Sequence, residues 1–141
     1  MIKFEFDGTP LHFQNEEMTC QPGSEALMSW IKSHRSILKD LKGVYIISAF
    51  DTEEEGTPRP IYIGKAKNLY KRLYEHCKEM MPELCSEIKK KKDKKWIDAF
   101  SEYREEELIV EFVSLDREID RRWLESRMHG CFDTIFEHKK V

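Results

Sequence analysis

A chain of 141 residues has the length of one domain and can bury a core without disulfide or metal staples. Hydrophobic residues make up 40% and charged residues 36%, which excludes a disordered polyelectrolyte, and no apolar run approaches the ~20 residues that cross a bilayer. With 24 basic against 27 acidic side chains the formal net charge is -3, so total charge makes no case for nucleic acid; only its distribution can.

The distribution is uneven. Lys65 to Lys95 holds eleven Lys or Arg and five acidic residues, while the acidity gathers in Asp51 to Glu55 and after Ser101. Either a basic face or a lysine-rich solvated loop at Lys89 to Lys95 accounts for this. The four cysteines, Cys20, Cys77, Cys85 and Cys131, form no C-x-x-C pair and follow no secretory segment, which points to reduced thiols and a cytoplasmic protein. A zinc site from His76, Cys77 and Cys85 lacks the usual ligand spacing.

In chain order, Ile2 to Phe6 alternates apolar and charged residues, Asp7-Gly8 offers a turn, and Leu11 to Phe13 alternates again; this predicts a hairpin. Ser24 is the expected N-cap of one helix running to about Asp40, with Leu27, Trp30, Ile31, Ile37, Leu38 and Leu41 at helical spacing. Gly43 to Phe50 reads as an apolar strand, Asp51 to Pro60 as a polar loop, and Pro60 to Gly64 as a second strand, antiparallel to the first. Asn68 to Met80 reads as a helix with Leu69, Leu73, Cys77 and Met80 or Met81 inward and Lys67, Lys71 and Lys78 on a basic side. Leu108 to Leu115 is a third core strand. Asp116 is placed to cap a last helix over about Arg117 to Phe132, with Ile119, Trp123, Leu124 and Met128 as its buried side. The expected fold is α+β: a small, mainly antiparallel three-stranded sheet flanked by helices (β-β-α-β-α), with an N-terminal hairpin and helix. Residues 1–42 form that extension and 43–141 the core domain.

Several residues have the chemistry a phosphodiester needs. Tyr45 and Tyr62 lie on adjacent strands, and either phenolate is a competent base if cations lower its pKa. Gly64 follows where a side chain would obstruct packing, or is an ordinary turn glycine. Lys65 can neutralise phosphate. Asn68, Arg72 and His76 recur every four residues and share one helix face. Arg72 can grip phosphate oxygens through two N–H groups, or pair with Glu75 or Glu79. Glu125 can hold a divalent ion, or pair with Arg121 or Arg122.

Gly43-Val44-Tyr45, then Tyr62-Ile63-Gly64, then Asn68-Leu69 with Arg72 and His76, resembles the GIY-YIG nuclease superfamily, and within it the N-terminal nuclease domain of the bacterial excision-repair endonuclease subunit UvrC. The resemblance covers about Gly43 to Cys131. It implies a divalent-metal-dependent DNA endonuclease: Tyr62 as the base activating water, Tyr45 positioning the site, Lys65, Arg72 and His76 as further catalytic residues, and Glu125 as the Mg2+ or Mn2+ ligand. Gly43, Gly64 and Asn68 take structural roles, and Lys67, Lys71 and Lys78 meet DNA. The family pattern continues to an asparagine, yet Gly130 to Val141 contains none. That departure and the acidic loop motivate an alternative: a catalytically impaired nucleic-acid-binding or protein-interaction module on the same fold. No large recognition domain accompanies the core, so a homodimer or a separate DNA-recognition subunit is expected to supply specificity in repair, mobile-element or restriction settings.

Overall fold

A computed structural model describes residues 3–6, 9–12, 21–50, 58–84 and 97–131. The acidic run Asp51 to Glu55, the Lys89 to Lys95 connector, Cys20, Cys85 and the stretch after Cys131 lie outside them. The chain is α+β. Strands β1 (Lys3–Phe6) and β2 (Thr9–His12) pair antiparallel as a hairpin, with Phe6 opposite Thr9. Helices α1 (Ser24–Ser33) and α2 (Arg35–Leu38) precede β3 (Gly43–Phe50), β4 (Pro58–Ala66), α3 (Leu69–Met80), a 3-10 turn Pro82–Leu84, a helical segment α4 (97–101), β5 (Leu108–Ser114) and α5 (Glu118–Cys131). The main sheet has the antiparallel order β4-β3-β5, so the strand that carries Tyr45 is central.

Alternation along β3 divides the core between the two sheet faces. Tyr45, Ile47 and Ala49 join Tyr62, Val110 and Phe112 against α1, α3 and Phe100. Val44 and Ile46 join Ile63 on the other face, against Leu124 and Met128 of α5. The sheet is thus a slab covered on both sides, as an apolar central strand requires.

The N-terminal helix is not continuous. His34 leaves the helical region at φ -109°, ψ 17°, and separates α1 from α2. Its ring Nδ1 lies 2.8 Å from the Trp30 carbonyl, and the Ser33 hydroxyl donates to that same oxygen at 2.8 Å. Side chains that bind a carbonyl three or four residues back compete with the helical ladder and bend it. The cap also differs from expectation. Gly23, at φ 151° in a region that favours glycine, precedes the helix, while the Ser24 N–H donates to the Arg104 carbonyl at 2.9 Å. Gln21 and Leu108 exchange two backbone hydrogen bonds of 2.8 Å, which fastens the N-terminal segment to the start of β5.

The last helix turns a different face inward than its apolar residues suggest. Ile119 is 66% and Trp123 39% exposed; Arg121, Leu124, Glu125 and Met128 form the buried side. Arg121 decides the rotation. Its Nη1 donates to the Leu115 and Asp116 carbonyls at 2.8 and 2.6 Å, and its Nη2 to Glu118 at 2.9 Å. The guanidinium thereby closes the β5-to-α5 turn, and its hydrogen bonds compensate its burial. Ile37, expected inward on the earlier helix, is exposed as well, and Met28 takes an inward place.

Arg121→Ala leaves two carbonyls at this turn without their donor. It is expected to destabilise the protein by about 1–3 kcal/mol in thermal or denaturant unfolding; an unchanged melting temperature would show that the turn does not depend on the guanidinium.

Candidate functional site

The strand and helix patterns bring four expected site residues to one place. Tyr45 sits in the central strand and Tyr62 in its neighbour β4, on the sheet face that meets α3. Arg72 and His76 project from α3 onto the two phenols. Asn68 starts that helix: its side-chain oxygen accepts from the Lys71 N–H at 3.0 Å and satisfies one of the end donors.

The phenols stack with ring centroids 5.9 Å apart. His76 is 4% exposed and packs 4.3 Å from the Tyr62 ring. Phe100 of α4 closes the cluster, 5.8 Å from Tyr62 and 5.5 Å from His76. His76 Nδ1 meets Glu79 at 2.9 Å, and Nε2 meets the Tyr45 hydroxyl at 2.7 Å. A carboxylate only accepts, so Nδ1–H donates to Glu79; in the neutral ring Nε2 then accepts the Tyr45 O–H. Arg72 Nη2 donates to the Tyr62 hydroxyl at 3.3 Å, and Nη1 to Glu75 at 3.3 Å.

Gly64 is required for space rather than for backbone conformation. It lies inside β4, not in a turn after it. A Cβ there would stand 2.6 Å from the Tyr45 hydroxyl oxygen and 2.7 Å from Cε1 of Tyr62. Gly43 is similarly constrained: its Cβ would run into the Val113 carbonyl oxygen.

The electrostatics run against the expected base. Burial raises the Tyr45 pKa well above the ordinary phenol value, and the neighbouring Tyr62 adds to the shift. Burial raises Tyr62 too, and Arg72 offsets only part of that. Both phenols are therefore neutral donors near pH 7, because desolvation of the phenolate outweighs the nearby cation. Arg72 is held above its usual value: burial acts to lower it, but the two phenols and Glu75 together prevail. Its Nε is buried with no hydrogen-bond partner among the described residues, so this cation has an unused donor. The side chain as a whole is 39% exposed.

Lys65 does not join the cluster. One position beyond Gly64 on a strand, its side chain takes the opposite sheet face. There its Nζ donates to Glu118 of α5 at 2.5 Å. Lys65 and Arg121 hold the Glu118 carboxyl down to about 2. Glu125 is almost buried and lies close enough to Tyr62 to act on its titration. Arg121 pairs with Glu118 instead of Glu125. Lys67 and Lys71 are exposed, and the Lys78 Nζ stands 5.5 Å over the Tyr74 ring.

The metal expectation is overturned. Among the described residues no group of three or more His, Cys, Asp or Glu side chains is placed to hold a metal ion. The nearby donors are already engaged: His76 with Tyr45 and Glu79, Glu75 with Arg72, Glu118 with Lys65 and Arg121. Glu125 stands without a second ligand beside it, and the residues present do not fit Mg2+ or Mn2+. Cys77 is no zinc ligand either; burial pushes its thiol up to about 12.

Sequence reasoning missed two parts of this arrangement. Glu79 orients His76 and was signalled by the three-residue helical spacing. Phe100 meets the site only through the fold and left no local signal. No protein-family model, curated protein or solved structure matches the chain. Among the described residues no helix is long and apolar enough to cross a membrane.

Two outcomes follow. Gly64→Ala forces the stacked phenols apart and is expected to cost about 1–3 kcal/mol of stability, read by denaturant unfolding; a neutral effect would mean the rings yield freely. Both phenols have folded pKa values raised above the ordinary 10.0. Their contribution to stability is full below about pH 10 and is lost as pH rises from there toward the folded values. Tyr62→Phe has no proton to lose at that position, so its melting temperature is expected to fall less steeply than wild type across the alkaline range. Equal slopes would refute the assignment.

Proposed function

We propose that this protein is a nucleic-acid-binding module on a GIY-YIG-like core, which grips a phosphodiester at Arg72 without hydrolysing it. The observation that carries this reading is the Arg72 guanidinium: a half-exposed cation anchored on Tyr62 and Glu75 beside the phenol cluster. A phosphate oxygen is the matching acceptor, because charge-assisted N–H bonds to phosphate are strong and directional.

Binding without turnover is favoured by the same geometry. A hydrolytic base at Tyr62 needs a lowered pKa, and burial moves it the other way. Lys65, which the reaction would place on the phosphate, is neutralised by Glu118 across the sheet. The proposed partner is DNA, and the proposed setting is the cytoplasm, where the buried Cys77 thiol stays reduced.

Titration into a labelled DNA duplex is expected to give binding that weakens as salt rises. Arg72→Ala should weaken it about tenfold or more, and supercoiled plasmid should remain intact with the wild type. Salt-independent or absent binding would overturn the binding half of the reading. Nicking that disappears in Arg72→Ala would overturn the non-catalytic half.

A further inference from the structure

The N-terminal helices and α3 together make a second surface, remote in chemistry from the phenol cluster. On α3, Tyr70, Tyr74 and Lys78 recur every four residues and form one ridge, beside the buried stripe of Leu69, Leu73, Cys77 and Met80. The two rings stack with centroids 5.8 Å apart and planes 26° from parallel. Three cations lie over them. The Arg35 guanidinium is 5.2 Å from the Tyr70 centroid; Lys32 and Lys78 ammonium groups are 5.9 and 5.5 Å from that of Tyr74.

Among the described residues no acidic side chain pairs with Lys32 or Arg35 of this strip. The two acids of α3 are committed elsewhere, Glu75 to Arg72 and Glu79 to His76. Lys32 and Arg35 have no carboxylate within ion-pair distance among the described residues, and each lies over a ring. Arg35 is the first residue of α2, just after the break at His34.

We propose that this strip binds single-stranded nucleic acid, with Tyr70 and Tyr74 as a stacking platform and Lys32 and Arg35 on the phosphates. The proposal rests on the reading above that the protein binds nucleic acid, but uses different residues, most of them contributed by or facing the N-terminal helices. Charge complementarity selects a polyanion, and the paired rings select one with free base faces. Tyr70 and Tyr74 are half-buried, each with one side against the core, and a cation over such a solvent-facing ring is only weakly held. It gains more from a phosphate oxygen, so it can leave the ring as a base arrives. A duplex keeps its base faces stacked internally and can offer this strip only its backbone.

The test compares fluorescence anisotropy of a labelled thymidine oligomer and of a duplex of equal length. Tyr70→Ala/Tyr74→Ala is expected to lose about tenfold or more in single-strand affinity with duplex affinity little changed. Tyr70→Phe/Tyr74→Phe keeps the ring faces and should bind the single strand like wild type. Lys32→Ala/Arg35→Ala should reduce the salt slope for the single strand by about 1.4, the share of two phosphates.

Wild-type single-strand binding by the folded alanine pair would overturn the proposal, and so would equal loss in the phenylalanine pair. Equal affinity for polyglutamate would make the strip a general polyanion patch and overturn it too. Should the alanine pair fail to fold, the exposed Lys32 and Arg35 variant decides: an unchanged salt slope overturns the proposal. Arg72→Ala on the duplex separates the two readings. If that variant loses duplex binding while the Tyr70 and Tyr74 variants change nothing, the Arg72 site stands and the strip does not.

Discussion

Two phenols fill the space that a side chain at position 64 would occupy, and the site depends on that vacancy. Tyr45 from the central strand and Tyr62 from its neighbour both lean over Gly64, stack on each other and present their hydroxyls to α3. Helix α3 reaches them because Asn68 caps it immediately after β4 ends. From there its 3.6-residue period delivers Arg72 to one hydroxyl and His76 to the other. The glycine is part of the mechanism of assembly, since it lets two large side chains from adjacent strands share one small volume.

Close packing then fixes the electrical character of the site. Phenols removed from water hold their protons, so the hydroxyls donate and do not abstract. Glu79, through His76, orders the Tyr45 hydroxyl from one side, and Arg72 anchors Tyr62 from the other. The result is a rigid, neutral pair of phenols beside one half-exposed guanidinium, which suits an anion better than it suits a nucleophile in need of activation. On the far face of the sheet Lys65 and Glu118 neutralise each other. A single-residue step along a strand thus separates the cation that serves the phenols from the one that serves α5.

Much of the fold was legible because its strands are long, β-branched and apolar on both faces, as in Gly43 to Phe50, and because α3 shows a clean helical stripe. The same periods put Tyr45 and Tyr62 on adjacent strands and Arg72 and His76 on one helix face; that the two pairs meet was implied by the family resemblance, not by the periods. What escaped depends on particular polar side chains. Helix α1 ends where Ser33 and His34 bind the Trp30 carbonyl, a competition invisible to hydrophobic periodicity. Helix α5 buries Arg121 in place of Ile119, because two carbonyls at the end of β5 accept from the guanidinium, and pattern reading counts arginine as surface. The metal expectation failed for a related reason: it rested on Glu125 alone, while Glu75, Glu79 and Glu118 are paired with Arg72, with His76, and with Lys65 and Arg121 in turn, and no group of three ligating side chains forms among the described residues.

The paired backbone hydrogen bonds between Gln21 and Leu108 have a consequence for how this chain behaves as a unit of inheritance. With Ser24 bonded to Arg104 and Arg104 reaching both Glu25 and Glu83, the first helix is sewn to the far end of the sheet by main-chain and side-chain ties. Such an element cannot be traded between proteins like a bead on a string. Its loss would free the Leu108 end of β5 from its Gln21 partner, so the N-terminal helices and the sheet have to be transmitted, and altered, together.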